Sequence, residues 1–286
     1  LSIAWDNDRF GFKSGYQHYL TDGAGRFGGM ANPRLALTSN ALSNAVELKS
    51  GRFGVSGRAF VGNITTDGLL ENDPAVSNNF ASAKLGDVMG AESGISFRGD
   101  KLSIATNFGT MHETNTVLGA AGYGFLDLGG ADTNYIDSVV KYSFNDWANL
   151  TLRGTYAWTR TGDVSGGVIN GLSELKSNAF AAGMNFGNFE LMVSMPLALT
   201  SGAMRYSVAD VALDNNGALI ANNFSERSID LTPETREYRL NASYRHKFGE
   251  WTDGALGFIY RINPNNTDAF GNESIFMMKL SHRLGI

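Results

Sequence analysis

The chain repeatedly alternates between apolar and polar side chains. In REYRLNASYRHKF, residues 236–248, Tyr238 and Leu240 fall on one side of the alternation, and Arg239 and Arg245 fall on the other. A period of two indicates a β-strand, because successive side chains of a strand point to opposite faces. The stretch therefore predicts a strand with one apolar face and one charged face.

Twelve stretches follow this pattern, the first within residues 2–17 and the last over 275–286. Short turns such as RGDK (98–101) and FGNF (186–189) alternate with long links rich in Gly, Asn, Asp and Ser. Outer-membrane barrels have this arrangement, with short periplasmic turns and long extracellular loops. We therefore predict an all-β fold, a closed antiparallel up-and-down transmembrane β-barrel of about 12 strands that forms a single domain over residues 1–286.

Two stretches depart from simple alternation. Apolar residues from Phe189 to Leu199 share one side of a strand, but Pro196 cannot donate a ladder hydrogen bond, so we expect a bulge there. Within the long link 200–234, AMRYSVAD (203–210) and ERSIDLT (226–232) can pair as an extra hairpin outside the barrel. An irregular loop is the alternative for that link.

The polar side of the strands carries long charged residues of both signs. On this side there are eleven Lys and Arg residues and five Asp and Glu residues. A soluble β-sandwich or a soluble ligand-binding barrel would also alternate, with its apolar side in a core. A closed membrane barrel would instead turn the charged side toward a wet, cation-rich lumen. The residues expected to line this lumen are Glu47, Lys49, Arg58, Glu92, Arg98, Asp137, Lys141, Arg153, Glu190, Glu237, Arg239, Arg245, Lys247, Arg261, Lys279 and Arg283.

Aromatic residues at the strand ends favour the membrane barrel. Amphipathic rings prefer the boundary between lipid and water, so a transmembrane barrel carries aromatic girdles at its two rims. The predicted girdle residues are Trp147, Trp158, Trp251, Phe144, Phe186 and Phe248.

Composition narrows the classes of function. The 286 residues include no cysteine, which excludes disulfides and thiolate metal sites, and the net charge of −5 argues against a nucleic-acid partner. No run of 18 apolar residues predicts a membrane helix. The opening LSIAWDNDRF lacks the features of a signal peptide, and we expect the chain to be a processed part of a longer product.

Catalytic motifs of the GxSxG, Walker, HExxH and CxxC kinds are missing from the sequence, and the glycine-rich GAAGYGF (119–125) fits a loop. We predict no enzymatic activity, no cofactor and no metal, since the four histidines are scattered. A hydrolase would need a polar cluster at the long-loop end. The candidates that could meet there are His112, Glu113, Asp132 and Asp137.

The C-terminal third contains the segments MPLALTSGAMRYSV, SIDLTPETREYRLNASYRHKF, YRINPNN and MMKLSHRLGI, and WDNDRFGF lies near the start of the chain. The four C-terminal segments resemble the C-terminal barrel of subtilase-type (serine peptidase) autotransporters of alphaproteobacteria, and WDNDRFGF is similar to the family's entry to the barrel. Residues outside the C-terminal third resemble the family only in pattern. The positions that carry the resemblance are Pro196, Leu197, Leu231, Pro233, Glu237, Arg261, Pro264 and Asn265.

The resemblance implies a translocator in the outer membrane of a Gram-negative bacterium, which accompanies secretion of an N-terminal passenger, often a serine peptidase. Its expected partners are membrane lipid and lipopolysaccharide, the barrel assembly machinery, and the passenger or a surface partner protein. Two features depart from the family. The chain ends in Ile286 instead of Phe or Trp, and it begins too close to its first strand to include a pore-plugging helix of ordinary length.

Two other functions remain open. A stand-alone pore with this lumen would favour anions, because fixed rings of Arg and Lys attract them. A structural barrel could instead bind a partner protein through its long loops, especially 63–89 and 200–234.

Overall fold

The computed structural model describes residues 2–18, 32, 35, 38, 40–65, 84–118, 120–121, 128–162, 168–213, 219–249, 252–269 and 271–282. Nearly all of them belong to strands, and a short 3-10 turn covers Pro264–Asn266. In the described ranges, no helix has both the length and the apolar character that crossing a bilayer requires.

Eighteen strands are defined within these residues. In chain order they are β1 (Ser2–Asp6), β2 (Phe10–His18), β3 (Asn40–Ser50), β4 (Phe53–Thr65), β5 (Lys84–Arg98), β6 (Leu102–Glu113), β7 (Thr116–Val117), β8 (Ala120–Ala121), β9 (Ala131–Ser143), β10 (Ala148–Thr161), β11 (Ile169–Leu172), β12 (Leu175–Phe186), β13 (Phe189–Ser201), β14 (Ala203–Leu213), β15 (Leu219–Asp230), β16 (Tyr238–Lys247), β17 (Thr252–Ile262) and β18 (Glu273–His282).

Thirteen of the strands form one antiparallel up-and-down sheet, in the order β1-β2-β3-β4-β5-β6-β9-β10-β12-β13-β16-β17-β18. Short turns join these strands at one end of the sheet, and long links join them at the other end, as the sequence predicts. Among the residues that the structure describes, no ladder joins β1 to β18.

The main sheet has one strand more than the predicted number of about 12. The stretch 2–17 contains two strands, because Asn7 turns the chain between them. Its Oδ1 accepts hydrogen bonds from the backbone N–H groups of Arg9 at 2.9 Å and Phe10 at 2.7 Å. Asparagine favours such turns because its side chain imitates a backbone acceptor. Alternation alone did not reveal this turn.

The extra hairpin is confirmed. Strands β14 and β15 pair from Ala203 with Asp230 onward, and β11 joins them to make a separate three-stranded sheet. This hairpin is longer than the two predicted stretches.

The bulge at Pro196 is also confirmed. On β13, Met195 pairs with Phe180 and Ala198 pairs with Asn178, so one extra residue of β13 lies between these pairs. Beyond the bulge the alternation shifts by one residue. Leu199 therefore packs in an inner apolar cluster, and its predicted place on the outer apolar side was wrong.

The two faces of the main sheet differ in burial. The face that carries the apolar stripes, called the outer face, is exposed, with Val55 at 59% and Ile95 at 61% of their full exposure. The opposite, inner face holds the buried residues, both polar and apolar. Exposed apolar areas of this extent mark a membrane or protein contact.

Candidate functional site on the inner face

The first group of inner-face charges lies in the middle of β4, β5 and β9. Glu92 accepts a hydrogen bond from the Tyr135 hydroxyl at 2.7 Å, and Arg58 Nη1 lies 3.3 Å from its other carboxylate oxygen. Glu92 and Tyr135 are both buried. A carboxylate in such a place needs these donors, because burying an unpaired charge is costly.

A glycine permits this contact. Tyr135 and Glu92 lie on strands that flank β6, and the Tyr135 ring crosses over Gly109 of that strand. A Cβ atom added at Gly109 would lie 2.1 Å from Cζ of the ring. The hydrogen bond between Tyr135 and Glu92 therefore depends on a missing side chain at position 109.

The second group joins β9 to β10. Arg153 donates from Nε to Asp137 at 2.8 Å and from Nη2 to the other carboxylate oxygen at 2.6 Å, and the Thr155 hydroxyl donates to Asp137 at 2.7 Å. Asp137 is fully buried and Arg153 nearly so. The two-pronged geometry is the strong form of an ion pair, because two parallel hydrogen bonds fix the orientation of both groups.

The third group lies at the long-loop end, around Glu237. Arg261 donates to this carboxylate from Nε at 2.8 Å, Arg239 donates from Nε, and the Asn265 backbone N–H donates at 2.8 Å. Arg261 also bonds to Glu273 at 2.8 Å. Burial raises the pKa of Glu237, but the hydrogen bonds from Arg261, Arg239 and the Asn265 amide outweigh that effect and hold it below the ordinary value of 4.5.

The backbone conformation of the loop after β17 brings the loop into contact with Glu237. Asn263, Asn265 and Asn266 all have positive φ, a conformation that asparagine tolerates better than most residues. The side chain of Asn266 accepts a hydrogen bond from the Glu237 backbone N–H at 3.0 Å. The sequence YRINPNN therefore folds back over the start of β16.

Arg236 connects this loop to the bulge. Its Nη2 donates to the backbone carbonyls of Asn178 and Pro196, each at 3.3 Å. Several positions that carry the family resemblance thus belong to one structural unit, although they lie far apart in the sequence. The members of this unit are Pro196, Glu237, Arg261, Pro264 and Asn265.

Toward the short-turn end the inner face is more exposed. Arg98 bonds to Glu47 at 2.5 Å, and Arg245 lies 3.7 Å from Glu190. Lys49 pairs with Asp6. Lys141 and Lys279 lie on the inner register of β9 and β18 and are exposed. Lys247 shares that register, and Arg283 lies outside the described residues.

An apolar cluster covers part of the inner face. Phe60, Ile64 and Met111 point inward from β4 and β6, and Leu35, from the long link after β2, packs against them. The sequence did not predict this cluster, because the apolar residues on the charged side are few in each strand. The inner face therefore includes a dry region beside the charged groups.

The described residues of the predicted girdle lie near the ends of their strands. Trp147, Phe144 and Phe248 are exposed at the short-turn end, and Phe186 packs against Trp147 with ring centres 6.2 Å apart. Trp158 lies near the other end of β10, beside Tyr156. Trp251 lies outside the described residues. Sequence reasoning missed Trp5, which packs against Phe10 at the short-turn end.

The polar cluster considered for a hydrolase does not assemble. His112 Nδ1 lies 2.7 Å from Asp132 Oδ1 on the outer face, whereas Glu113 and Asp137 are buried on the inner face. In the part of the chain that the structure describes, no group of three His, Cys, Asp or Glu residues could hold a metal ion.

No protein-family profile matches the chain. No curated protein matches it in sequence either. Among solved structures, it is similar to OprB of Pseudomonas putida, with a TM-score of 0.46, 13% identity, and coverage of 98% of this chain and 71% of that one. OmpT lacking loop L8, an outer membrane protein of Vibrio cholerae, gives a TM-score of 0.49 and 13% identity over 98% of this chain and 78% of that one. A FadL homologue of Pseudomonas aeruginosa gives 0.38 and 12% over 91% and 68%.

The likeness to these proteins concerns the fold alone. The localisation in the outer membrane of a Gram-negative bacterium rests on the strand pattern and on the family resemblance.

Proposed function

We propose that the chain is the outer-membrane translocator domain of an autotransporter, in which the main sheet closes into a transmembrane barrel. It accompanies secretion of an N-terminal passenger. The barrel itself has no catalytic role, and any peptidase activity belongs to the passenger.

The observation that carries this proposal is the unit around Glu237. Five of the eight positions of the family resemblance, Pro196, Glu237, Arg261, Pro264 and Asn265, meet in the hydrogen bonds of Arg236, Arg261 and the loop after β17. Glu237 and Arg261 lie at the same end of two paired strands, and Arg236 extends the contact to Pro196 on β13. Their meeting supports a shared structural element at the long-loop end of the barrel.

The two faces supply the physical conditions for export. The exposed apolar outer face contacts lipid, and closure satisfies the backbone groups that hydrocarbon cannot. The charged inner face keeps water beside an exported polar chain. We propose lipopolysaccharide and the barrel assembly machinery as further partners, since the outer surface and last strand would meet them during insertion.

A reporter fusion tests the proposal. A signal peptide and a short epitope-tagged passenger are placed before Leu1, and the fusion is expressed in a Gram-negative host. We expect protease added outside intact cells to remove the tag while the barrel stays in the outer membrane. A tag that is protected until the outer membrane is opened, with the barrel correctly inserted, would contradict translocation.

A stand-alone anion pore is the second candidate, and the exposed inner lysines favour it. Lys141 and Lys279 lie on the inner register toward the short-turn end, where they would attract anions. The purified chain in a planar bilayer would then conduct with anion selectivity, and Lys141→Gln with Lys279→Gln would lower that selectivity. A chain that displays the tag but does not conduct would exclude this candidate.

A third candidate is a scaffold that binds a partner protein through its long loops. The sheet of β11, β14 and β15 favours it, since Phe224 on this sheet is 69% exposed. Removal of residues 204–229 would then abolish partner binding and leave the barrel in the membrane.

A further inference from the structure

The direction of the strands restricts how the sheet can close. All twelve junctions of the main sheet are antiparallel, so strands in odd places of the order run one way and strands in even places run the other. β1 has the first place and β18 the thirteenth, and the two therefore run in the same direction. β2 runs opposite to β18.

Antiparallel closure therefore joins β18 to β2, but β1 already occupies that edge of β2. The ladder of β1 and β2 covers five pairs, from Ser2 with Gly15 to Asp6 with Gly11. β18 has ten residues and β2 has nine, so the two could form a longer ladder.

The side-chain faces of β2 and β18 match. On β2, Phe10 and Phe12 belong to the outer face, and on β18, Phe276 and Met278 belong to it, at 80% and 83% exposure. A β2–β18 ladder would therefore join the apolar residues of the two strands on one continuous outer face.

β1 is attached to the sheet by few contacts. All five of its residues are exposed. It is attached by its short ladder, by the contact of Trp5 with Phe10, whose ring centres lie 5.3 Å apart, and by the ion pair of Asp6 with Lys49. These contacts can be exchanged for a longer ladder when the edge of β18 would otherwise remain unpaired in hydrocarbon.

We propose that β1 is an exchangeable strand that occupies the closing edge of β2 until β18 replaces it. The exchange produces a twelve-stranded antiparallel barrel and releases residues 2–9 from the wall. This inference rests on the proposed transmembrane barrel, but not on secretion of a passenger.

The absence of cysteine allows a disulfide test on the full chain. One variant pair, Ala4→Cys with Lys13→Cys, reports the β1–β2 ladder, in which these residues are direct partners. A second set combines Lys13→Cys with Ile275→Cys, Met277→Cys or Lys279→Cys, which share the inner face of β18. Lys13→Cys with Met278→Cys is the matched control, because Met278 belongs to the outer face.

Cross-linking is measured before membrane insertion and again on the heat-modifiable, membrane-inserted form. We expect the β1–β2 pair to cross-link before insertion and to lose at least nine tenths of that yield afterwards, when one or two of the inner β2–β18 pairs cross-link within one chain. Persistence of the β1–β2 cross-link in the inserted barrel, or a β2–β18 cross-link only between two chains, would overturn the proposal. Heat modifiability reports barrel formation in every variant, and tag display reports secretion separately.

Discussion

Two parts of the sheet share one pattern of alternation but differ in which residues of their inner faces are buried. In the first wall, made of β4, β5, β6, β9 and β10, ionic groups are buried in mid-strand and an apolar cluster with Leu35 lies beside them. In the last wall, made of β16, β17 and β18, the buried ionic group lies at the long-loop end, and Arg245 and Lys279 below it are exposed.

The difference shows that alternation defines the two faces of a strand but not what covers them. The inner face of the first wall is covered by a residue from a loop that alternation does not describe. The buried charges of the first wall are therefore structural, whereas the exposed charges of the last wall remain available to solvent. The following substitutions test this division.

The largest effect is expected in the first wall. Arg153→Met leaves Asp137 buried with an unpaired charge, and losing one partner of a buried pair costs about 3–5 kcal/mol. Arg245→Met in the last wall is the matched control and should cost about 0–1 kcal/mol, because that pair is exposed. Urea unfolding of the two variants in lipid vesicles measures both losses of stability. Equal losses of stability would contradict the distinction between buried charges in the first wall and exposed charges in the last wall.

The outer faces of the two walls should behave alike. Ile104→Arg in the first wall and Leu240→Arg in the last wall each put a charge on the exposed apolar face, at a cost of about 2–4 kcal/mol near the bilayer centre. Ala255→Glu, on the inner face of β17 between Arg245 and Lys279, is the control and should change stability by about 0.5 kcal/mol or less. A large difference between the two outer variants would show that only one wall contacts lipid.

Acid should weaken the last wall through Glu237. Its pKa is lowered in the folded chain, so its contribution is complete above the ordinary pKa of 4.5 and disappears as the pH falls through the lower, folded value. Glu237→Gln should cost about 1.5–3 kcal/mol at neutral pH, the range for hydrogen bonds to charged groups. The gap between wild type and variant, measured by urea unfolding across pH, should close in acid. A gap independent of pH would show that the carboxylate charge is unimportant.

The smallest effect concerns Gly109. Gly109→Ala forces the Tyr135 ring away from Glu92 and should cost about 1–3 kcal/mol, as overpacking does. Gly154→Ala on β10, two strands away, is the control, since its added Cβ meets no atom within 4 Å. It should be neutral or stabilise by about 0.5–1 kcal/mol. Thermal unfolding of both variants compares them, and a stable Gly109→Ala would show that the Tyr135 contact is dispensable.

Much of the fold was predictable because alternation and turn residues are local signals. Most strands of the main sheet, the short turns and the bulge at Pro196 follow from them, and the extra hairpin was one of the two alternatives that they left open for residues 200–234. The turn at Asn7 was missed because Phe10, Phe12 and Tyr16 share one face of a strand. This alternation suggested a single strand within residues 2–17. The shift at Leu199 is a consequence of the bulge that alternation alone cannot include.

The site was only partly predictable. Asp137, Arg153, Glu237 and Arg261 were recognised as inner-face residues by their register. The ion pairs that these residues form were not predicted, because alternation does not give the register between neighbouring strands. Tyr135 could have been found, since it shares the register of Asp137, but its reach to Glu92 depends on Gly109 in an intervening strand.

The central claim is that the outer face contacts lipid while the inner face contacts water. Single cysteines at Val55, Ile104 and Leu240 on the outer face, and at Lys279 on the inner face, can carry nitroxide spin labels in the cysteine-free chain. In membranes, the outer labels should be relaxed by oxygen and not by a water-soluble nickel chelate, and the label at position 279 should show the reverse. Outer labels that neither reagent reaches, as in a soluble packed core, would contradict the account.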